Sequence, residues 1–518
     1  MAFKITYATM SVDNEDLQAA YDEAVERVQG ELGRDHPLYV NGEERFTGEW
    51  YEETSPIDRE ILVGRYSQAR PEDVDDAVEA ATAFESEWED FGWEQRRDLL
   101  LAAADRMEDE MFDLAALMAY EVGKSRLEAL GDVAETVEFY RYYSRKMTES
   151  DGYTIPLSSL SDNEENVSVL RPYGTWAVIA PFNFPLALSA GPSIGALLTG
   201  NTVVLKPSNQ GALMALEFYR IMRDVGVPAG ALHVVTGGDD VGDRLAHHPL
   251  VDGITFTGSY DVGMYLYRTV RDDRPKPVIA EMGGKNPVIV TATADLNDAA
   301  EGVARGAFGF SGQKCSATSR VYIERPVFDE FVDKLTQRAK EIKVGNPLER
   351  DTFTGPVIDE AAVKRFEDAV ADVEAKGGQV LVGGNRITEG ELARGTYVAP
   401  TVVTAPEESY VWSQELFVPF VAVAPVDSLD EALDKSNDTP FGLTAGLFSR
   451  SDDEIEEFFK RIQAGVTYVN RKAGATTGAW PDIQSFGGWK GSGTSGAGGG
   501  GPWYLRSYLR EQSRTRIR

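Results

Sequence analysis

Cys315 is the only cysteine in 518 residues, and it stands in FGFSGQKCSATSR among small polar residues rather than in an apolar run. A thiol reacts as the thiolate, which calls for partial exposure and nearby positive potential, often at a helix start. Gly312 permits close backbone approach, Ser311, Gln313 and Ser316 keep the surroundings polar, and amide N–H groups around Cys315 suit an oxyanion. The competing reading is a small buried hydrophobe, a common fate of a free cysteine. Five other stretches carry complementary groups. In PFNFP, Asn183 lies between two prolines that stiffen the loop, and its amide can donate to a developing alkoxide. In EMGGK, Glu281 ends an apolar run, where burial would tune its carboxyl upward as a general base. FTGSYDVG offers Gly258 for a turn and, from Ser259, a helix amino terminus for phosphate oxygens. VLKPSNQ places Lys206 where an ammonium reaches ribose hydroxyls, and QELFVPF supplies a carboxylate, Glu415, and an apolar ring, Phe417. Singly, each has an ordinary structural explanation as a turn, an edge residue or a core ring.

Such groups need a scaffold that gathers them. Residues from about Pro71 to Met147 predict helices, with Pro71 in a first turn and Val74, Ala77, Val78 and Ala81 at helical spacing. From Trp176 the texture becomes an alternation of short β-rich apolar runs (WAVIAP, NTVVLKP, ALHVVTG, GITFTG, PVIAEM) with helical segments. That alternation predicts a parallel sheet with helices on both faces, whose ligands sit beyond the carboxyl ends of the strands. The candidate residues cluster at those ends. A second α/β block follows from about Asn286 to Ser485. GGWKGSGTSGAGGGG has the composition of a flexible linker, and the WYLRSYLREQSRTRI after it reads as a terminal strand in need of docking, on another subunit if not on its own.

The length exceeds what one core fills, so at least two domains are expected. Lone Cys315 excludes an intramolecular disulfide. No signal peptide is visible in MAFKITYATMSVDNEDLQ, and FPLALSAGPSIGALL is too short and too interrupted to span a membrane, so a cytoplasmic location is expected. The net charge of −33, from 84 acids against 51 bases, repels nucleic acid and anionic membranes. The acids are spread along helices rather than massed in a tail. This dispersed acidity, with lysine scarce, resembles proteins of salt-loving organisms and predicts a salt requirement. His36, His233, His247 and His248 lack metal-ligand spacing, so no metal site is expected.

PFNFP, KPS, FTGS, EMGGK, SGQKC and ELF, in this order and spacing, resemble the aldehyde dehydrogenase superfamily over essentially the whole chain. The resemblance implies an α/β fold of two doubly wound parallel-sheet domains with a small β oligomerisation element. Residues 1–148 and 172–283 would bind the dinucleotide, 284–487 would form the catalytic domain, and 149–171 with 488–518 the oligomerisation element. Cys315 becomes the nucleophile, Glu281 the base that activates water, and Asn183 with the Cys315 amide the oxyanion hole. Lys206, Ser208, Asn209, Gly258, Ser259, Glu415 and Phe417 would hold NAD. The family commonly has glutamate where Asn209 stands, a carboxylate that repels a 2′-phosphate, so NADP stays open as the cofactor. Val418 replaces a common glycine.

VNRKAGATTGAWPDIQSFGGWKGSG and REQSRT are similar to the 1-pyrroline-5-carboxylate dehydrogenase branch, which oxidises L-glutamate γ-semialdehyde to L-glutamate in proline degradation. In that branch Ser316, Gly478 and Ala479 would grip the substrate's α-carboxylate and α-amino ends, with Phe184 and Phe486 walling its aliphatic part. Alternatives are another semialdehyde dehydrogenase, for succinate or 2-oxoglutarate semialdehyde, and a catalytically inactive binding protein on this fold. Retention of Cys315, Asn183 and Glu281 argues against the second, and Glu281 argues against a CoA-acylating relative. A homodimer or higher homo-oligomer is implied by the resemblance.

Overall fold

Why the carboxyl ends of the strands matter becomes visible in a computed structural model, which describes residues 13–270, 275–472 and 480–518. Five short apolar runs pair in parallel: Val278–Glu281, Gly253–Thr257, Thr175–Ile179, Thr202–Lys206 and Leu232–Val234, in that spatial order. Two antiparallel strands, Leu38–Val40 and Glu43–Arg45, extend the far edge to seven. The registers put Ile179 beside Lys206 and Thr257 beside Glu281, so neighbouring strands end at one level. Helices Pro71–Asp90, Gly92–Asp109, Met111–Val122 and Arg126–Glu149 fill the stretch read as helical, the first with proline in its opening turn.

The second sheet also has seven strands, in the order Gln379–Val382, Thr401–Thr404, Phe420–Val426, Thr318–Glu324, Asn286–Val290, Thr444–Phe448 and Val466–Val469. All neighbours are parallel except the antiparallel edge strand Gln379–Val382. The expected pair of parallel sheets is therefore present, each finished by antiparallel edge pairing. Such strands are buried on both faces, which is why they read as near-continuous apolar runs.

The terminal strand Leu509–Ile517 docks antiparallel on Glu164–Pro172 of its own chain, with Thr154–Leu157 on that strand's other side. The glycine run before it is not a free linker. Met282 N–H donates to the Ser492 carbonyl at 2.9 Å, Ala280 N–H to Thr494 Oγ1 at 2.8 Å, and Gly500 N–H to the Tyr143 hydroxyl at 3.0 Å. No described helix is long and apolar enough to cross a membrane.

Candidate active site

Cys315 is positioned by a short segment with unusual backbone. Phe310, Ser311 and Gly312 take φ of 49°, 52° and 67°, three consecutive residues in the left-handed region. Two of them carry side chains, so the segment is strained and must be held from outside. Thr354 Oγ1 accepts from the Ser311 N–H at 2.7 Å, and Ser311 Oγ donates to the Gly355 carbonyl at 2.6 Å. A side chain at Gly312 would lie 2.3 Å from the Val418 carbonyl oxygen, so only glycine fits. Beyond the thiol, Asn286 Nδ2 donates to the carbonyls of Cys315 at 2.7 Å and Ala317 at 2.9 Å.

Asn183 reaches this loop from the first sheet. It is buried, and one N–H of its amide donates to the Gln313 carbonyl at 3.1 Å. An amide nitrogen carries two hydrogens, which leaves one for an oxyanion. Glu281 closes the strand Val278–Glu281, and Gly488 N–H donates to its Oε2 at 3.0 Å. Burial pushes the Glu281 carboxyl up to about 8, against the pull of that N–H. One cavity of about 610 Å³ is lined by Asn183, Glu281 and Cys315 together with Gly258, Ser259, Glu415, Phe417 and Phe486. Residues from both sheets thus meet in one cleft.

Electrostatics around the thiol reverse the expectation. Burial pushes the Cys315 thiol up, the carboxyls of Glu415 and Glu281 push it further, and the N–H groups of Ser316 and Cys315 itself pull it down. Neutral N–H dipoles, rather than a neighbouring cation, are what favour the thiolate here. The nearest loop lysine, Lys314, is committed to Glu128 at 2.6 Å.

The dinucleotide residues divide into two groups. Gly258, Ser259, Glu415 and Phe417 border the cavity. Ser259 caps the helix Tyr260–Thr269, its Oγ accepting from the Val262 N–H, so this helix start faces the cleft. Glu415 Oε1 accepts from the Gly284 N–H at 2.9 Å, and burial lifts that carboxyl to about 7. Phe417 has φ of 58° and meets Phe182 edge to face at 5.9 Å. Lys206, Ser208 and Asn209 stand at the end of Thr202–Lys206, outside the cavity lining. Lys206 is mostly buried, which lowers its ammonium pKa, while Asn209 Oδ1 is buried without a hydrogen-bond partner among the described residues. A buried acceptor and a desolvated ammonium at the end of one strand, and a helix start on the cleft after another strand of the same sheet, are chemically compatible with a dinucleotide.

Substrate candidates are more scattered. Phe486 lines the cavity; Phe184 does not, its ring lying under Lys124 Nζ at 3.5 Å. Ser316 is buried next to the thiol and is likewise outside the lining. Gly478 and Ala479 lie outside the described residues, but Trp480, Pro481 and Gln484 just after them line the cavity. Glu135 was not singled out by sequence. It lines the same cavity from the helix Arg126–Glu149, with Phe139 and Tyr143 following at four-residue spacing. Burial and then Asp132 raise its carboxyl to about 8. Only the period of a helix, without its partner, could have hinted at it. No group of three or more metal-ligating side chains exists among the described residues.

A half-buried thiol, an amide donor and an elevated carboxyl share one cleft between two α/β sheets, an arrangement chemically suited to a carbonyl substrate. A family model described as "Aldehyde dehydrogenase family" matches residues 43–513, and the chain belongs to that family of oxidoreductases. It is 37% identical over 501 residues to 1-pyrroline-5-carboxylate dehydrogenase 1 of Halalkalibacterium halodurans, an alignment covering 95% of each chain. A mutant 1-pyrroline-5-carboxylate dehydrogenase of Thermus thermophilus superposes with a TM-score of 0.94 at 35% identity over 100% of both chains. The Thermus 1-pyrroline-5-carboxylate dehydrogenase with bound NAD gives 0.93 at 34% identity over the same full coverage.

Proposed function

We propose that this chain oxidises L-glutamate γ-semialdehyde, the open form of 1-pyrroline-5-carboxylate, to L-glutamate with NAD, a step of proline degradation. The observation that carries the chemistry is the shared cavity wall of Cys315, Asn183 and Glu281. Full-length similarity to 1-pyrroline-5-carboxylate dehydrogenases supports the substrate. The Cys315 thiol gives its proton to solvent, its sulfur adds to the aldehyde carbon, and the π electrons move to the oxygen, which the Asn183 amide and the Cys315 N–H hold. Bound NAD would supply the acceptor for the hydride that leaves that carbon. The resulting thioester is attacked by water whose proton passes to Glu281, freeing the acid and restoring the thiol. Lys206, Ser208, Asn209, Gly258, Ser259, Glu415 and Phe417 position the dinucleotide.

Stopped-flow absorbance with 1-pyrroline-5-carboxylate and NAD tests this reading. Cys315→Ala should abolish the burst of reduced cofactor. Glu281→Gln should keep a burst of about one equivalent while steady turnover falls at least 100-fold, a typical loss for a missing acid–base group. A Cys315→Ala variant with normal turnover ends the proposal, and a preference for succinate semialdehyde moves the substrate within the family.

The chain is also proposed to assemble as a homodimer or larger homo-oligomer through the sheet Thr154–Leu157, Glu164–Pro172 and Leu509–Ile517. Ile155, Leu157, Leu160 and Ile517 are exposed on and beside that sheet, apolar surface that a partner would cover. Light scattering should report a multiple of 56.8 kDa; a monomer mass at micromolar concentration would rule assembly out.

A further inference from the structure

The Asn183 amide and the Cys315 N–H can reach a single oxygen only if their two loops stay in register. Asn183 Nδ2 joins the loops directly, donating to the Gln313 carbonyl at 3.1 Å. Four charged side chains that the chemistry above does not use join them as well: Lys124, Glu128, Asp132 and Lys314. Lys124 and Asp132 pair at 2.6 Å with both side chains wholly buried. Lys314, the residue before the nucleophile, has a side chain 3% exposed and donates to both Glu128 oxygens, at 2.6 and 2.7 Å.

The cluster reaches both loops. Asp132 Oδ1 accepts from the Ala187 N–H at 2.8 Å, fixing the start of the helix Ala187–Leu198 that follows PFNFP. Lys124 Nζ lies over the ring of Phe184, the residue after Asn183, at 3.5 Å. The same ammonium lies 5.1 Å from the ring of Phe310, in the strained turn before Cys315. A side chain at Gly309 would come within 3.0 Å of Glu128 Oε1, so that turn also lies close on the second pair. Glu128 and Asp132 stand four residues apart on the helix Arg126–Glu149, hence on one face of it. One helix and the turn before it thus carry the anchors of both loops.

Buried ion pairs are weak contributors to stability, since apolar residues of similar volume often serve as well. What they supply is geometry: a bonded carboxylate and a ring face within about 6 Å each fix where an ammonium sits. We propose that Lys124, Glu128, Asp132 and Lys314 are positioning residues that set the separation of Asn183 from Cys315, and so the fit of the oxyanion hole. None of the four lines the cavity, so they act through the residues that do. This rests on the thiol chemistry proposed above, though on no particular aldehyde.

The rate of the reduced-cofactor burst is the readout. Asn183→Ala should slow it about 100-fold, as loss of an oxyanion donor does. Lys124→Met with Asp132→Asn removes one pair without leaving an unpaired charge, and should slow the burst about 10- to 100-fold, as an ångström of misplacement does. The half-saturating NAD concentration should stay within about twofold of wild type, because the dinucleotide residues are untouched. Added to Asn183→Ala, the same pair of substitutions should cost far less than the product of the two losses, because the donor it misplaces is already gone. Losses that multiply mark a general loosening and overturn the proposal, as does an unchanged burst or a rise in the NAD requirement. If the Lys124 variant does not fold, Lys314→Met with Glu128→Gln decides by the same comparison, Glu128 being 23% exposed. A burst that survives Cys315→Ala removes the reaction itself, whereas one that needs Cys315 but ignores Lys124 and Lys314 removes only the clamp.

Discussion

A carboxyl raised to about 8, as Glu281 is by its burial, is a base that is mostly protonated at pH 7. Only the ionised form takes a proton from water, so thioester hydrolysis should climb about tenfold per pH unit below 8 and level off above it. Single-turnover hydrolysis of a preformed acyl-enzyme between pH 6 and 9.5 measures this directly; a flat wild-type profile would detach Glu281 from the step. The midpoint should vanish in Glu281→Gln. Glu281, Asn183 and Cys315 could be picked out in sequence because each ends an apolar run or sits in a glycine- or proline-framed turn. Glu135 could not, since nothing along the helix Arg126–Glu149 tells which of its faces meets the cleft. The charge around Cys315 was also illegible: carboxyls far along the chain, Glu415 and Glu281, set it. Phe184 looked like a substrate wall from its place beside Asn183, yet Lys124, sixty residues earlier, covers its ring.

At the scale of elements, the segment before the thiol stores strain so that Cys315 projects into the cleft. Gly312→Ala joins a left-handed φ of 67° to an overlap with the Val418 carbonyl, costing roughly 2–4 kcal/mol if the loop holds its shape. A loop that relaxes instead moves the sulfur away from Asn183. Either way, Gly312→Ala should lose at least tenfold in burst rate or several degrees in melting midpoint, read by stopped flow and calorimetry. Unchanged values in both would show that the strain has no role. The parallel strands were legible because burial on both faces leaves unbroken apolar runs such as NTVVL. The added strands Leu38–Val40 and Glu43–Arg45 were not, being three residues each, the outer one with two of its three residues exposed. The glycine run misled by composition: glycine there permits one part of the run to pack on another, as the 2.8 Å gap from a side chain at Gly487 to the Gly498 Cα shows, rather than freedom.

For the whole molecule, charge is the largest departure from the ordinary. A net −33 cannot be cancelled by the arginine and lysine pairs on the surface, because acids outnumber bases 84 to 51. Added salt has two opposed effects. It weakens exposed pairs such as Arg65–Asp35 at 2.6 Å and Arg244–Asp75 at 2.6 Å, each worth about 0.2–1 kcal/mol at most. It also screens the repulsion among the unpaired acids, as the Debye length shrinks from about 10 Å at 0.1 M to about 3 Å at 1 M. The unfolded chain spreads its charge and gains less from screening, so relief of repulsion in the folded state wins. The melting midpoint should therefore rise by several degrees between 0.1 and 2 M potassium gluconate. A midpoint that falls over that range would mean that the surface pairs, not the excess of acids, govern stability.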